Sequence, residues 1–155
     1  MITRIVALAA LMVATGVAHA ADPAKGWTPD TIVWQTNAPN GTGYALLEGN
    51  RDSGAAPFSY AFRIPEGVYD TPHSHSATVR VFVAKGALRI GFGSVFDRSR
   101  LMTYPAGSYV IVPGGAVHFD GADVDTVIYG TATGPWSTTY LDHSAPASAG
   151  TPVKP

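Results

Sequence analysis

The strongest constraint on this chain is a rhythm of short alternating apolar runs, each stopped by a glycine or proline turn. Phe58-Ser-Tyr-Ala-Phe-Arg-Ile64 places Phe58, Tyr60, Phe62 and Ile64 on one side of an extended backbone. Thr78 to Ala84 is β-branched and alternating, and Lys85-Gly86 ends it before Ala87 to Phe92 begins. Tyr109 to Val112 and Thr126 to Tyr129 read the same way, and Thr31 to Trp34 and Tyr44 to Leu47 are shorter candidates. Period two is the signature of a half-buried strand, and no window sustains a helical period. Strands recurring roughly every ten residues fit an all-β sandwich or barrel. The 17 glycines and 12 prolines supply the turns, with Asn37 to Gly43 the richest in turn formers.

Composition narrows the function. Charged residues are 14% of the chain and the formal net charge is −1, with no basic field of the kind nucleic acid requires. There is no cysteine, which excludes disulfides, thiolate metal sites and thiol catalysis. Walker, dinucleotide-binding, Ser-His-Asp and H-E-x-x-H patterns are absent. The pairs Gly41-Thr-Gly43 and Gly91-Phe-Gly93 lack a following helix and read as turns.

Met1 to Ala20 has the anatomy of a secretory signal: Arg4, an apolar stretch from Ile5 to Val17 too short to span a bilayer, and a small-x-small site at Ala18-His19-Ala20. The expected mature chain starts at Ala21, is periplasmic or secreted, and keeps no stable membrane insertion after cleavage. The expected domain runs over residues 21–142. The Pro-rich, small and polar stretch 143–155 is expected to be a disordered tail.

Histidine placement carries the chemistry. After cleavage four of the five histidines remain. His73 and His75 form an H-x-H pair, and His118 follows a Pro-Gly-Gly turn. In a strand, positions i and i+2 share a face, so the pair aims two imidazoles at one point. A third imidazole from a distant strand completes one face of a metal polyhedron and leaves other positions open. An H-x-H pair by itself also occurs in ordinary turns.

The flanking residues make the pattern specific. Gly67, five residues, His73-x-His75 and the later Gly86 are followed by Gly107, five residues, Pro113-x-Gly115, two residues and His118. These two motifs, in this order, resemble those of the cupin superfamily over roughly Phe58 to Tyr129. The resemblance implies an all-β, double-stranded β-barrel of jelly-roll type holding one divalent transition metal (Fe, Zn, Mn, Cu or Ni). His73, His75 and His118 are the implied ligands, and a homodimer is the family-level expectation.

Two positions depart from the pattern. Where the first motif usually carries a ligand Glu, this chain has Val79, or Arg80 if a bulge shifts the register. Where the second closes on Asn, it has Ala122. The only glutamates are Glu48 and Glu66. Asp120 and Arg80 are therefore the candidates for the surroundings of the ligands. Asp120 shares the face of His118 if the strand is unbroken, although Asp before Gly121 also suits a turn. Parity with His73 and His75 sends Arg80 to solvent. Val79, Tyr60 and Phe62 are the ligand-pocket candidates, and Asp70 lies in the approach to His73. No general base is assigned. The expected function is a metal-dependent oxygenase or a lyase/isomerase acting on a small anionic organic substrate. The alternative is a periplasmic protein that binds metal or a small ligand without turnover.

Overall fold

The structure is a computed structural model describing residues 23–141. The expected signal segment 1–20 and the expected tail 143–155 lie outside the described residues. The described chain is built from short antiparallel strands and one 3₁₀ turn at Arg98–Arg100, which Asp97 caps by accepting from the Ser99 backbone N–H at 2.9 Å.

The strands are β1 (Thr36–Asn37), β2 (Gly43–Glu48), β3 (Pro57–Ile64), β4 (His73–His75), β5 (Val79–Lys85) and β6 (Ala87–Phe92). They continue with β7 (Met102–Pro105), β8 (Tyr109–Val112), β9 (His118–Gly121), β10 (Thr126–Thr133) and β11 (Thr138–Tyr140). They form two sheets, one ordered β1-β2-β3-β10-β5-β8 and the other β11-β4-β9-β6-β7. Consecutive strands such as β4 and β5 lie in different sheets, so the chain repeatedly crosses from one wall to the other. This is the jelly-roll arrangement.

Alternation decides what each wall turns inward. Along β5, Val79, Val81 and Val83 are buried while Arg80 and Phe82 are exposed; along β8, Val110 and Val112 are buried while Tyr109 and Ile111 are exposed. Phe58, Tyr60 and Ile64 from β3 and Ile128 from β10 meet Leu88 and Ile90 from β6 in one core between the sheets. Each such aliphatic or aromatic side chain contributes about 1.5–3 kcal/mol on burial. The β5–β6 turn depends on Gly86, whose φ is 76° and whose missing Cβ would meet the Asp125 carbonyl.

A second apolar layer covers the outside of the six-stranded sheet. Ala45, Ala61 and Val127 point outward by parity and are covered by Ile32. This corrects the expected strand at Thr31–Trp34. Thr28 and Thr31 close a local turn, with the Thr31 N–H donating to the Thr28 carbonyl at 3.0 Å, and the first ladder forms only at Thr36–Asn37. β10 runs beyond its expected end at Tyr129, through Gly130, because the missing Cβ at Gly130 is the space taken by the Tyr60 ring.

Candidate metal centre

The three histidines converge. His73 and His75 stand on β4, and His118 on β9 is the direct cross-strand partner of His73. One ring nitrogen from each lies within 4.8 Å of the other two. The ring centroids are 4.3 Å apart for His73–His118, 5.0 Å for His75–His118 and 5.1 Å for His73–His75. His73 is 2% exposed and His118 1%.

Hydrogen bonds fix the rings. His73 Nδ1 lies 2.8 Å from the Thr71 carbonyl, and His118 Nδ1 lies 2.9 Å from the Ala116 carbonyl. A carbonyl oxygen only accepts, so both Nδ1 atoms carry the proton, and in the neutral rings both Nε2 atoms keep a free lone pair. In both cases the acceptor lies two residues before the histidine, so the same local turn sets each tautomer. His75 Nδ1 is held by the Thr138 hydroxyl at 3.1 Å, from the neighbouring β11. Such anchoring of the far nitrogen is what orients imidazoles for a metal.

The electrostatics disfavour a charge on two of the rings, His75 and His118. Burial, with help from His73 and His118, pushes His75 from its ordinary 6.5 down to about 2. Burial also lowers His118, against the opposing pull of the Asp120 carboxylate. Imidazoles whose Nε2 or Nδ1 atoms converge on one point are the donor set that a divalent transition metal takes in their neutral form. On this chemistry, the residues present fit such an ion.

The cluster opens into a cavity of about 70 Å³ between the sheets. That is roughly the space of five waters, enough for a small organic molecule and no more. Tyr60, Phe62, Val79, Val81, Leu88 and Ile90 are among its lining residues. The three pocket candidates from the sequence are thus all on its wall. Val79, 2% exposed, faces the cavity from the sheet opposite the histidines. Tyr60 belongs to core and cavity together, and burial raises its hydroxyl far above the ordinary value for tyrosine.

Asp120 also lines the cavity, because β9 continues unbroken through Gly121. Its Oδ2 lies 3.7 Å from His73 Nε2 and 3.6 Å from His118 Nε2. Arg80 requires a correction. No bulge shifts β5 at this point, Arg80 pairs with Ile111 of β8 and Thr131 of β10, and its side chain is exposed on the outer face. It takes no part in the surroundings of the histidines.

Sequence reasoning leaves Trp136 and Thr138 unassigned. Trp136, 5% exposed, lies tilted by 31° against His75 with ring centroids 4.5 Å apart. Its other neighbours are Phe58, Tyr60 and the guanidinium of Arg51. Both residues reach the site because β11 pairs with β4 in a register that sets Thr138 opposite His75. No local motif in the sequence signals that long-range pairing.

Comparison with known proteins agrees with this architecture. The family described as ChrR Cupin-like domain matches residues 24–137. Among solved structures, a cupin-like protein from Thermotoga maritima superposes with a TM-score of 0.56 at 18% identity, covering 69% of this chain and 85% of that one. KdgF from Halomonas sp. gives 0.53 at 14% identity, covering 72% and 94%. Salicylate 1,2-dioxygenase from Pseudoaminobacter salicylatoxidans, solved in complex with gentisate, gives 0.56 at 13% identity. This match covers 68% of the present chain and only 30% of the dioxygenase. At these identities the likeness is one of fold. No curated protein matches the sequence significantly.

Proposed function

From the premise that this chain belongs to the cupin superfamily, as a ChrR cupin-like domain, we propose that it is a metal-dependent protein acting on a small anionic organic ligand. His73, His75 and His118 would hold one divalent transition ion. Such an ion supplies Lewis acidity, a fixed positive charge and, if it is iron or copper, access to dioxygen chemistry. The single observation that carries this reading is the convergence of three imidazoles on a small, largely apolar cavity.

The chain's own residues set what could enter. No lysine or arginine is among the described residues that line the cavity. Recognition of a carboxylate or enolate therefore falls to the histidine-held charge rather than to a side-chain cation. Val79, Val81, Leu88 and Ile90 keep the surroundings apolar, which strengthens any charge interaction formed there. Tyr60 and Phe62 bound the space for the organic part of the ligand. Asp70 and Asp120 are the only carboxylates among the described lining residues, and so the only ones placed to take a proton from it. The reaction classes compatible with these parts are oxygenation and lyase or isomerase chemistry. Export through the segment 1–20 belongs to the same proposal and puts the reaction in the periplasm or outside the cell.

The test uses untagged protein, stripped with a chelator and titrated with Zn²⁺ and Co²⁺ by calorimetry. One ion per chain is expected, with binding lost in His73→Ala and in His118→Ala. Small enolates and carboxylates should bind to the loaded protein and not to the stripped one. Failure of the wild-type chain to bind metal, or equal binding by the histidine variants, would overturn the reading.

A further inference from the structure

The residues of the first sequence motif leave a gap in the donor set. At the place where the resemblance puts a carboxylate, β5 presents Val79 to the cavity, and its neighbour Arg80 faces solvent. We propose that Asp120 fills this role, as a fourth protein ligand delivered from β9 rather than from β5. The inference rests on the three-histidine reading above and adds to it.

Three observations support it. The first is direction. His118 and Asp120 are two residues apart on a continuous strand, so they share the inward face. The strand is tied on both sides at this point: Asp120 pairs with Ile90 of β6, and its carbonyl accepts from the Asp70 N–H at 2.7 Å.

The second is distance. Asp120 Oδ2 stands 3.7 Å from His73 Nε2 and 3.6 Å from His118 Nε2. Zinc-type bonds of about 2.1 Å in a tetrahedral site put neighbouring ligand atoms about 3.4 Å apart. The carboxylate oxygen is therefore close to a ligand-to-ligand separation from two imidazole nitrogens at once, and too far from either for a hydrogen bond.

The third is polarity. The Nδ1 atoms of His73 and His118 are committed to the Thr71 and Ala116 carbonyls, so Nε2 is the nitrogen that each ring turns toward Asp120. Among the described residues no lysine or arginine lies within 4 Å of the Asp120 carboxylate, and no hydrogen-bond donor reaches it. A carboxylate oxygen and two imidazole nitrogens facing one another at these distances form an arrangement that a shared cation would stabilise. The fourth donor would also lower the positive charge of the loaded site by one.

The experiment compares wild type, Asp120→Asn, Asp120→Ala, Val79→Glu and the Asp120→Ala/Val79→Glu double variant, all untagged and chelator-stripped. Each is titrated with Zn²⁺ and Co²⁺ by calorimetry, and the visible absorption of the Co²⁺ form is recorded. Asn preserves the shape of Asp, so Asp120→Asn should keep the wild-type melting profile in the stripped form. Loss of a ligand is expected to weaken binding by more than about 100-fold, beyond the ~10–100-fold cost of losing an outer partner. The Co²⁺ spectrum should change in both Asp120 variants. Glu at position 79 should restore at least about tenfold of the affinity lost in Asp120→Ala, by returning a carboxylate to the same cavity from the opposite wall. Wild-type affinity in both Asp120 variants would overturn the proposal, as would weakened binding with an unaltered Co²⁺ spectrum. Failure of the underlying three-histidine reading would look different: the wild type itself, or His118→Ala relative to it, would give the anomalous result.

Discussion

Replacing Trp136 by alanine should cost this domain about 3.5–7 kcal/mol, a large share of the ~5–15 kcal/mol that holds a typical domain together. The estimate has two parts. Emptying a buried indole of its ring costs about 3–5 kcal/mol in lost transfer energy and cavity formation, and Trp136 is only 5% exposed, against Phe58, Tyr60 and His75. The Arg51 guanidinium carbon sits 4.6 Å from the ring centre while the side chain is itself buried, so removing the ring forfeits a further ~0.5–2 kcal/mol of cation–π attraction. Phenylalanine should behave differently. Trp136 Nε1 is buried with no acceptor among the described residues, and an unpaired buried donor costs about 1–3 kcal/mol. Trp136→Phe removes that donor together with part of the ring, so the two changes offset and the net loss should stay under about 1.5 kcal/mol. Urea unfolding of the stripped protein, followed by far-UV circular dichroism at constant m-value, measures both. Metal titration of Trp136→Phe then asks whether a phenyl ring still steadies His75. If Trp136→Ala lost less than about 1 kcal/mol, or Trp136→Phe lost as much as Trp136→Ala, the account of the indole as a packed wall with an unpaired donor would be wrong.

Three further outcomes are expected. Burial and the neighbouring histidines hold His75 near 2 against an ordinary 6.5, so below about pH 6.5 the unfolded chain binds a proton that the native chain refuses. Metal-free protein should therefore lose stability as pH falls from about 6.5 toward 5, by up to ~1.4 kcal/mol per pH unit for such a histidine; equal urea midpoints at about pH 7.5 and about pH 5 would refute it. Gly130→Ala would set a methyl group on the Tyr60 ring, and should destabilise by about 1–3 kcal/mol and reshape the cavity wall; a melting temperature equal to wild type would show that Tyr60 can move aside. N-terminal sequencing of the exported form should begin at Ala21, and recovery of intact Met1 chain in a membrane fraction would identify an anchor instead.

What was legible in the sequence follows the range of the interactions involved. Parity along one strand is local, and it places Phe58, Tyr60, Val79, Val81 and Arg80 where the structure has them. The three histidines are legible for a related reason: glycine-defined turns at fixed spacing deliver His73, His75 and His118 to strands that later pair. Reading failed where a local turn competes with a ladder. Thr31–Trp34 has strand composition, but a Thr28–Thr31 turn occupies its start and Ile32 serves as an outer cover. Met102–Pro105 and Thr138–Tyr140 are edge strands of the five-stranded sheet, and an edge strand needs less apolar alternation than a central one. Their pairing partners are set by the whole barrel, so Trp136 and Thr138 reach the histidines with no warning in the sequence. Asp120 lies between these cases, since its direction is fixed only once β9 is known to pass through Asp120-Gly121 without turning.

The two walls of the cavity divide the chemistry between them. β4 and β9 of the five-stranded sheet carry His73, His75, His118 and Asp120, and their anchors are backbone carbonyls and the Thr138 hydroxyl. The six-stranded sheet contributes Tyr60, Phe62, Val79, Val81, Val112 and Ile128, with no ionisable group except the suppressed hydroxyl of Tyr60. A glutamate at position 79 would cross that division by putting a charge on the apolar wall. Valine there leaves His73, His75, His118 and Asp120 together on one sheet, so their spacing is set by a single hydrogen-bonded ladder instead of by the packing distance between sheets. Ladder geometry is held by paired backbone groups, whereas the gap between sheets responds to the volume of each core side chain. Substitutions on the apolar wall can therefore alter the shape of the cavity while leaving the histidine geometry in place.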